Sequence, residues 1–268
     1  RDSSVTGVQT CALPIFLLGK TSTPEFGARP TTEGGFCPAA HNPWNLEHTA
    51  GGSSGGAAAA SAAGLGPLHQ GSDGGGSIRI PCAYSGLFGF KVSFGRVGSH
   101  AAFDNGLTAV PGPMCRSVRD AARYVDAIAG PTAIDPTSLP KPPSYEDAVV
   151  SGRAAERVRG LRAAWSSTLG FAVCDPEVAA LARAAAEALC ADAGIELVDV
   201  DVRFPRPGTS WALLSVVSGA SHYGERVFSR PLDELTPVVR GGYEILPGMT
   251  MPAYLKALRR REIGRAHV

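Results

Sequence analysis

Hydrophobic and polar positions recur along this chain at two spacings. Between Ser117 and Ala129, Val118, Ala121, Ala122, Val125 and Ile128 fall three or four residues apart and predict a helix with one apolar face. Ser117 stands at its N-cap, Asp120 holds the capping-box position (a weaker partner there than Glu), and Gly130 ends it. Asp175-Pro176-Glu177 opens a second helix, which runs to Ala193 and stops at Gly194. Across Ile195–Phe204 the apolar residues Ile195, Leu197, Val198, Val200 and Val202 are interleaved with polar ones and predict a strand. An alanine-built helix is predicted over Gly56–Gly64, a short strand over Leu65–Asp73, and a helix with solvated arginines around Ala154–Trp165. Thr23–Trp44 reads as an irregular surface segment, Ile78–Gly89 as compact and partly buried, and Pro131–Pro143 as a linker. Helix followed by strand, repeated, points to an α/β layered domain.

The chain's chemistry gathers in Gly51–Pro81, GGSSGGAAAASAAGLGPLHQGSDGGGSIRIP. Two serine-bearing glycine clusters flank a run of small apolar residues. Glycine admits positive φ and lets other groups approach the backbone closely, at roughly 0.5–1 kcal/mol relative to Ala. Accepting that cost repeatedly around serines sets bare N–H groups beside hydroxyls, the equipment of acyl transfer. The amino end of the Gly56–Gly64 helix, at Ser53–Gly56, should favour negative charge.

Four other readings of these motifs fit less well. A flexible linker would not enclose an apolar, helix-forming segment. Gly51–Gly55 satisfies GxSxG, but Asn42–Thr49 before it is polar and proline-broken where a nucleophile elbow needs a buried strand, and only His222 could complete a triad. Gly64-Leu65-Gly66 has His69 in place of the third glycine of a dinucleotide loop. Leu17–Thr21 ends like a phosphate-binding loop, but Pro14 occupies its first glycine position.

Composition narrows the partners. Twenty-five Lys+Arg against 24 Asp+Glu leave a net charge of +1, so no nucleic-acid partner is expected. No apolar run approaches the ~18 residues of a membrane span. Six dispersed cysteines without a CxxC pair fit a reducing compartment, and a cytoplasmic location is expected. The six histidines form no metal-binding pair, and neither metal nor cofactor is expected.

Gly51–Pro81 with GLFGFKVSFGRV after it closely resembles the amidase signature family of serine hydrolases. GKTSTPEFG (Gly19–Gly27), NPWN (Asn42–Asn45), RSVRDAA (Arg116–Ala122) and the DPEV-initiated helix are similar to family segments in the same order. The resemblance covers roughly Leu17 to Leu258. It implies a mixed β-sheet layered between α-helices and a Ser–cis-Ser–Lys triad. The nucleophile matches Ser77; the middle serine, preceded by a cis peptide bond, matches Ser53; the oxyanion donors match the N–H groups of Gly74, Gly75, Gly76 and Ser77. In that scheme a desolvated, uncharged lysine is the base and Ser53 relays the proton, since a hydroxyl donates and accepts at once. Asp73, Arg79 and Ser54 are assigned to loop support.

The resemblance also places the triad lysine before residue 1, so it is expected to be absent. Lys20 lies in a segment that follows that lysine in the family, and Lys91 comes after Ser77. Val92 stands where the family usually has proline, and Cys82 is expected to be a core residue. Residues 1–16 are expected to be non-native or unstructured, 17–261 a partial amidase signature domain incomplete at both ends, and 262–268 a non-native tail. The implied activity is hydrolysis of a small-molecule carboxylic amide, of the general or cyclic-amide type, through a serine acyl-enzyme. Without the triad lysine this chain by itself is expected to give negligible turnover; a glutamine-dependent tRNA amidotransferase subunit, an inactive, binding-only fragment and a homodimer remain open.

Overall fold

The computed structural model describes residues 17–34, 37–98, 108–206, 208–228 and 231–266. The expected non-native segment 1–16 lies outside them. Two units pack separately, Arg1–Glu146 with Ser210–Val268, and Asp147–Thr209.

In the first unit a short antiparallel hairpin, β1 (His41–Asn42) and β2 (Asn45–Thr49), leads into helix α1 (Gly55–Ala62). The serine at the start of α1 makes no side-chain cap. Thr32, fully buried, substitutes for it: its hydroxyl accepts from Gly55 N at 3.0 Å and donates to Ser53 O at 3.2 Å. The first N–H of this helix is therefore taken by protein and not left for a ligand, contrary to the expectation from sequence. Thr23–Trp44 is likewise not wholly superficial, since Pro24, Thr32 and Ala40 are buried.

Strand β3 occupies only His69–Asp73 of the stretch expected to be extended from Leu65. It is followed by helix α2 (Arg79–Ser85), β4 (Phe88–Gly89) and β5 (Val110–Cys115), which form an antiparallel sheet in the order β3-β5-β4. All six residues of the central strand β5 are buried, although two of them, Pro111 and Pro113, are prolines. Register explains the tolerance. In an antiparallel ladder the polar groups of one residue point to one neighbour, and Pro113 O accepts from Phe90 N, on the β4 side. The alternation turns Pro111 the same way, so the donors missing from both prolines are not ones that β3 requires. Helix α3 (Val118–Ile128) follows, capped by Ser117, whose hydroxyl accepts from Asp120 N at 3.1 Å.

Two clusters fill this unit. Ala57 and Ala58 of α1 meet Ile78, Cys82 and Met114; Val92, Val97 and Val110 meet Val125 of α3 and Ala129 just after it. Ile78 and Met114 are wholly buried, worth about 2 kcal/mol each by apolar area. Helix α4 (Tyr145–Val150) crosses the boundary between the units.

The second unit holds α5 (Arg153–Val158), β6 (Arg162–Trp165), α6 (Pro176–Ala193) and β7 (Glu196–Asp199). The helix expected around Ala154–Trp165 ends at Val158, because residues 162–165 pair in parallel with β7. The strand expected over Ile195–Phe204 is likewise shortened to β7. Helix α6 follows its sequence signals: Asp175 accepts from Glu177 N at 2.8 Å, and Gly194 closes it in the left-handed region.

The chain ends in α7 (Gly208–Phe228), α8 (Pro237–Glu244) and α9 (Met251–Ala266). The last runs through much of the expected tail. Leu235, Val239 and Tyr243 pack with Tyr223 in this part of the first unit. The Glu25 carboxylate accepts from Thr236 N and Oγ1 at 2.8 and 2.7 Å, capping α8. No helix among the described residues is long and apolar enough to cross a membrane.

Candidate active site

The turn between β3 and α2 carries Ser77, and it is folded around one carboxylate. Asp73, the last residue of β3, has no exposed side-chain area. Its Oδ1 accepts from Gly76 N at 2.8 Å and Arg79 Nη2 at 2.9 Å. Its Oδ2 accepts from Arg79 Nε at 2.9 Å and, at 3.2 and 3.3 Å, from Ile78 N and Arg79 N. Burial alone would push this carboxyl up, but Arg79's guanidinium and the backbone donors outweigh it and hold the group below the ordinary carboxylate range. Arg79 is raised in turn, chiefly by its hydrogen bonds to Asp73. A charged acceptor with this many converging donors dictates the path of the chain from 74 to 79.

The turn has specific backbone demands. Gly76 sits at φ +131°, where a side chain would be strained, and its own amide faces Asp73. Gly75 lies under an indole: a Cβ there would come within 2.5 Å of Trp211 Cζ2. Trp211, in the first turn of α7, also donates from Nε1 to Gly74 O at 3.0 Å. Ser77 is half-buried and Gly75 exposed, so the turn is open to a small molecule.

Ser53 and Ser54 lie beside this turn. Ser54 N donates to Ser77 O at 3.2 Å, so the two serine-bearing segments meet directly at the backbone. Ser54 Oγ accepts from Ser72 N at 3.2 Å and donates to Ser72 O at 3.4 Å, fastening the segment to β3. The Gly52–Ser53 peptide bond is cis. Ser53 is buried, with Thr32 on its carbonyl and Gly27 against its hydroxyl, where a Cβ would stand 3.3 Å from Ser53 Oγ.

Of the four amides named as oxyanion donors, Gly76 N–H is therefore occupied by Asp73, while those of Gly74, Gly75 and Ser77 have no acceptor among the described residues. Lys20 is exposed, and Lys91 Nζ donates to Val92 O at 3.3 Å. Burial pushes the Cys82 thiol up to about 12, which keeps it protonated and inert as a nucleophile. His222 packs edge-on against Tyr223 in α7, with ring centroids 4.6 Å apart. The strand preceding Ser53, β2, is largely exposed, unlike the strand of a nucleophile elbow. A cleft of about 450 Å³ lies elsewhere, lined by Ser22, His41, Leu46 and α1 alanines, and touches neither serine. Among the described residues no group of three His, Cys, Asp or Glu could hold a metal.

Two supporting residues were missed. Thr32 acts on α1 from 23 residues away, and Trp211 reaches Gly74 from 137 residues away. No local pattern links either to the glycine turn; the only signal is that tryptophan is rare in this chain.

The family model described as Amidase matches residues 10–265. An acylamidase from Rhodococcus erythropolis is 41% identical over 210 residues, 77% of this chain and 43% of its own length. One subunit of a glutamyl-tRNA(Gln) amidotransferase from Thermus thermophilus is 46% identical over 140 residues, 52% of this chain and 30% of its own. Among solved structures, a bacterial aryl acylamidase of the amidase signature family superposes with a TM-score of 0.80 at 30% identity, covering 89% of this chain and 50% of that one. The chain thus spans half or less of the length of these relatives.

Proposed function

The chain belongs to the amidase signature family, and on that premise we propose that it carries the nucleophile of an amide hydrolase acting through a serine acyl-enzyme. Ser77 Oγ attacks the amide carbonyl carbon and passes its proton to Ser53, whose own proton goes to the amine base that the family implies. The tetrahedral oxyanion is received by free amides of the turn, Gly75 and Ser77 foremost. Collapse breaks the C–N bond, the leaving amine takes a proton, and water then hydrolyses the ester to regenerate Ser77.

The observation that carries this reading is the turn itself. Asp73 and Arg79 fix a half-buried serine at the start of α2, and Ser54 ties the Ser53 segment against that serine's carbonyl. A small-molecule amide is the first reading, supported by the acylamidase match over 77% of the chain; an amidotransferase subunit is the second, supported by matches over 74%.

A serine-reactive fluorophosphonate tests the nucleophile. Labelling that disappears in Ser77→Ala supports the assignment, and labelling indifferent to that change rejects it. In a chain that carries the family's lysine, Ser53→Ala should lower amide turnover by about 10²-fold or more, the size of a lost proton-transfer step, without unfolding the protein.

A further inference from the structure

We infer that Trp211 is a positioning residue for the oxyanion amide of Gly75. The inference rests on the amide-hydrolase reading and goes one residue beyond it. Gly74 C=O and Gly75 N–H are the two ends of one planar peptide unit, which is trans. In such a unit the carbonyl and the N–H point in opposite directions. Trp211 Nε1 donates to Gly74 O at 3.0 Å, so the indole fixes the direction in which Gly75 N–H points. A donor on the carbonyl also polarises the N–H at the other end, strengthening it as an oxyanion donor.

The indole constrains the same peptide a second way. A Cβ on Gly75 would lie 2.5 Å from Trp211 Cζ2 and 2.9 Å from Cε2 and Cη2, so the ring packs on the backbone of the residue it orients. Asp73 holds the next amide of the turn, accepting from Gly76 N at 2.8 Å. Between the two, the Gly75 amide has no acceptor among the described residues and stands exposed. Trp211 itself is 40% exposed, more than a residue kept only for core packing would be. Preorganised donors of this kind supply about 10²–10³ in rate each, so misdirecting one should be visible.

The test compares the full chain with Trp211→Phe, which keeps a ring and removes the N–H, using Ser77→Ala as the reference for specific labelling. Two quantities are read: the rate of Ser77 acylation by a fluorophosphonate, and the 15N–1H resonance of Gly75. Trp211→Phe should slow acylation about tenfold or more, move the Gly75 amide proton upfield, and leave the thermal midpoint within about 2 °C. Acylation at the unaltered rate overturns the inference while leaving the nucleophile assignment standing. An unmoved Gly75 resonance overturns it as well, even with slower acylation, because the effect would then be general loosening. Should a chain that carries the family's lysine give no Ser77-dependent label, the nucleophile reading falls, and the Gly75 resonance alone decides whether the indole orients the peptide.

Discussion

Asp73 and Glu146 each gather arginine donors, and they do so in opposite surroundings. Asp73 has no exposed side-chain area and takes backbone donors from 76, 78 and 79 as well as both arms of Arg79. Glu146, its own side chain 20% exposed, accepts only from side chains, Arg119 Nε and Arg123 Nε and Nη2, on arginines about as exposed as Arg79. Both carboxyls titrate low: Glu146 is brought to about 2 by hydrogen bonds from Arg123 and Arg119, and Asp73 is held down against its own burial. The acidity is alike and the consequences are not. Water and salt replace most of what the arginines give Glu146. Little replaces the partners of Asp73, because the amides of the buried residues Gly76 and Ile78 would be left without an acceptor.

The largest effect that would separate the two is Asp73→Ala. Breaking a buried ion pair from one side costs about 3–5 kcal/mol, and partial exposure of Arg79 lowers that to roughly 2–4 kcal/mol. The urea midpoint should fall accordingly, and Ser77 labelling should vanish with the turn's shape. A loss below about 0.5 kcal/mol would mean the turn holds itself and the contrast with Glu146 is empty. Next comes Arg79→Ala, at about 1–2 kcal/mol, smaller because the carboxylate keeps its backbone donors.

Acid sharpens the same contrast. Asp73 titrates lower in the folded chain than in the unfolded one, so its contribution is complete above the unfolded value of ~3.9 and is lost as pH falls through the folded value. The stability gap between the unaltered chain and Asp73→Asn should be flat above about pH 5 and shrink steadily below about pH 4. An unchanged gap at low pH would mean that the carboxylate's charge contributes nothing. Glu146 has the same sign, its window running from about 4.5 down to about 2, but 0.5 M salt should remove most of its share and little of Asp73's. Glu146→Gln is the smallest effect: a thermal midpoint indistinguishable from that of the unaltered chain, with Ser77 labelling intact.

The two regions also differ in how far they could be foreseen. Helices α3 and α6 were legible because their caps are local: Ser117 with Asp120, and Asp175-Pro176-Glu177 with Gly194, act within a few residues. Strand β5 was not, since VPGPMC offers prolines where a central strand should have donors, and only the register shows why they do no harm. Residues 162–165 read as a continuation of an Ala/Arg helix and became a strand because β7 was there to pair with them.

By itself the sequence determined the candidates for the chemistry: a hydroxyl in a glycine turn, an acid and an arginine around it, and a second pair of serines upstream. It also determined the family, since a long ordered set of motifs is a property of the chain alone. The tertiary structure decided which amides are free. Gly76 N–H is used up by Asp73, while Gly75 N–H has no acceptor among the described residues and its peptide is held by Trp211. It likewise assigned the capping of α1 to Thr32. The physical reason is that a hydrogen bond depends on direction and distance in space. Partners 23 and 137 residues away leave no periodic trace in the sequence, and only folding brings them within 3 Å.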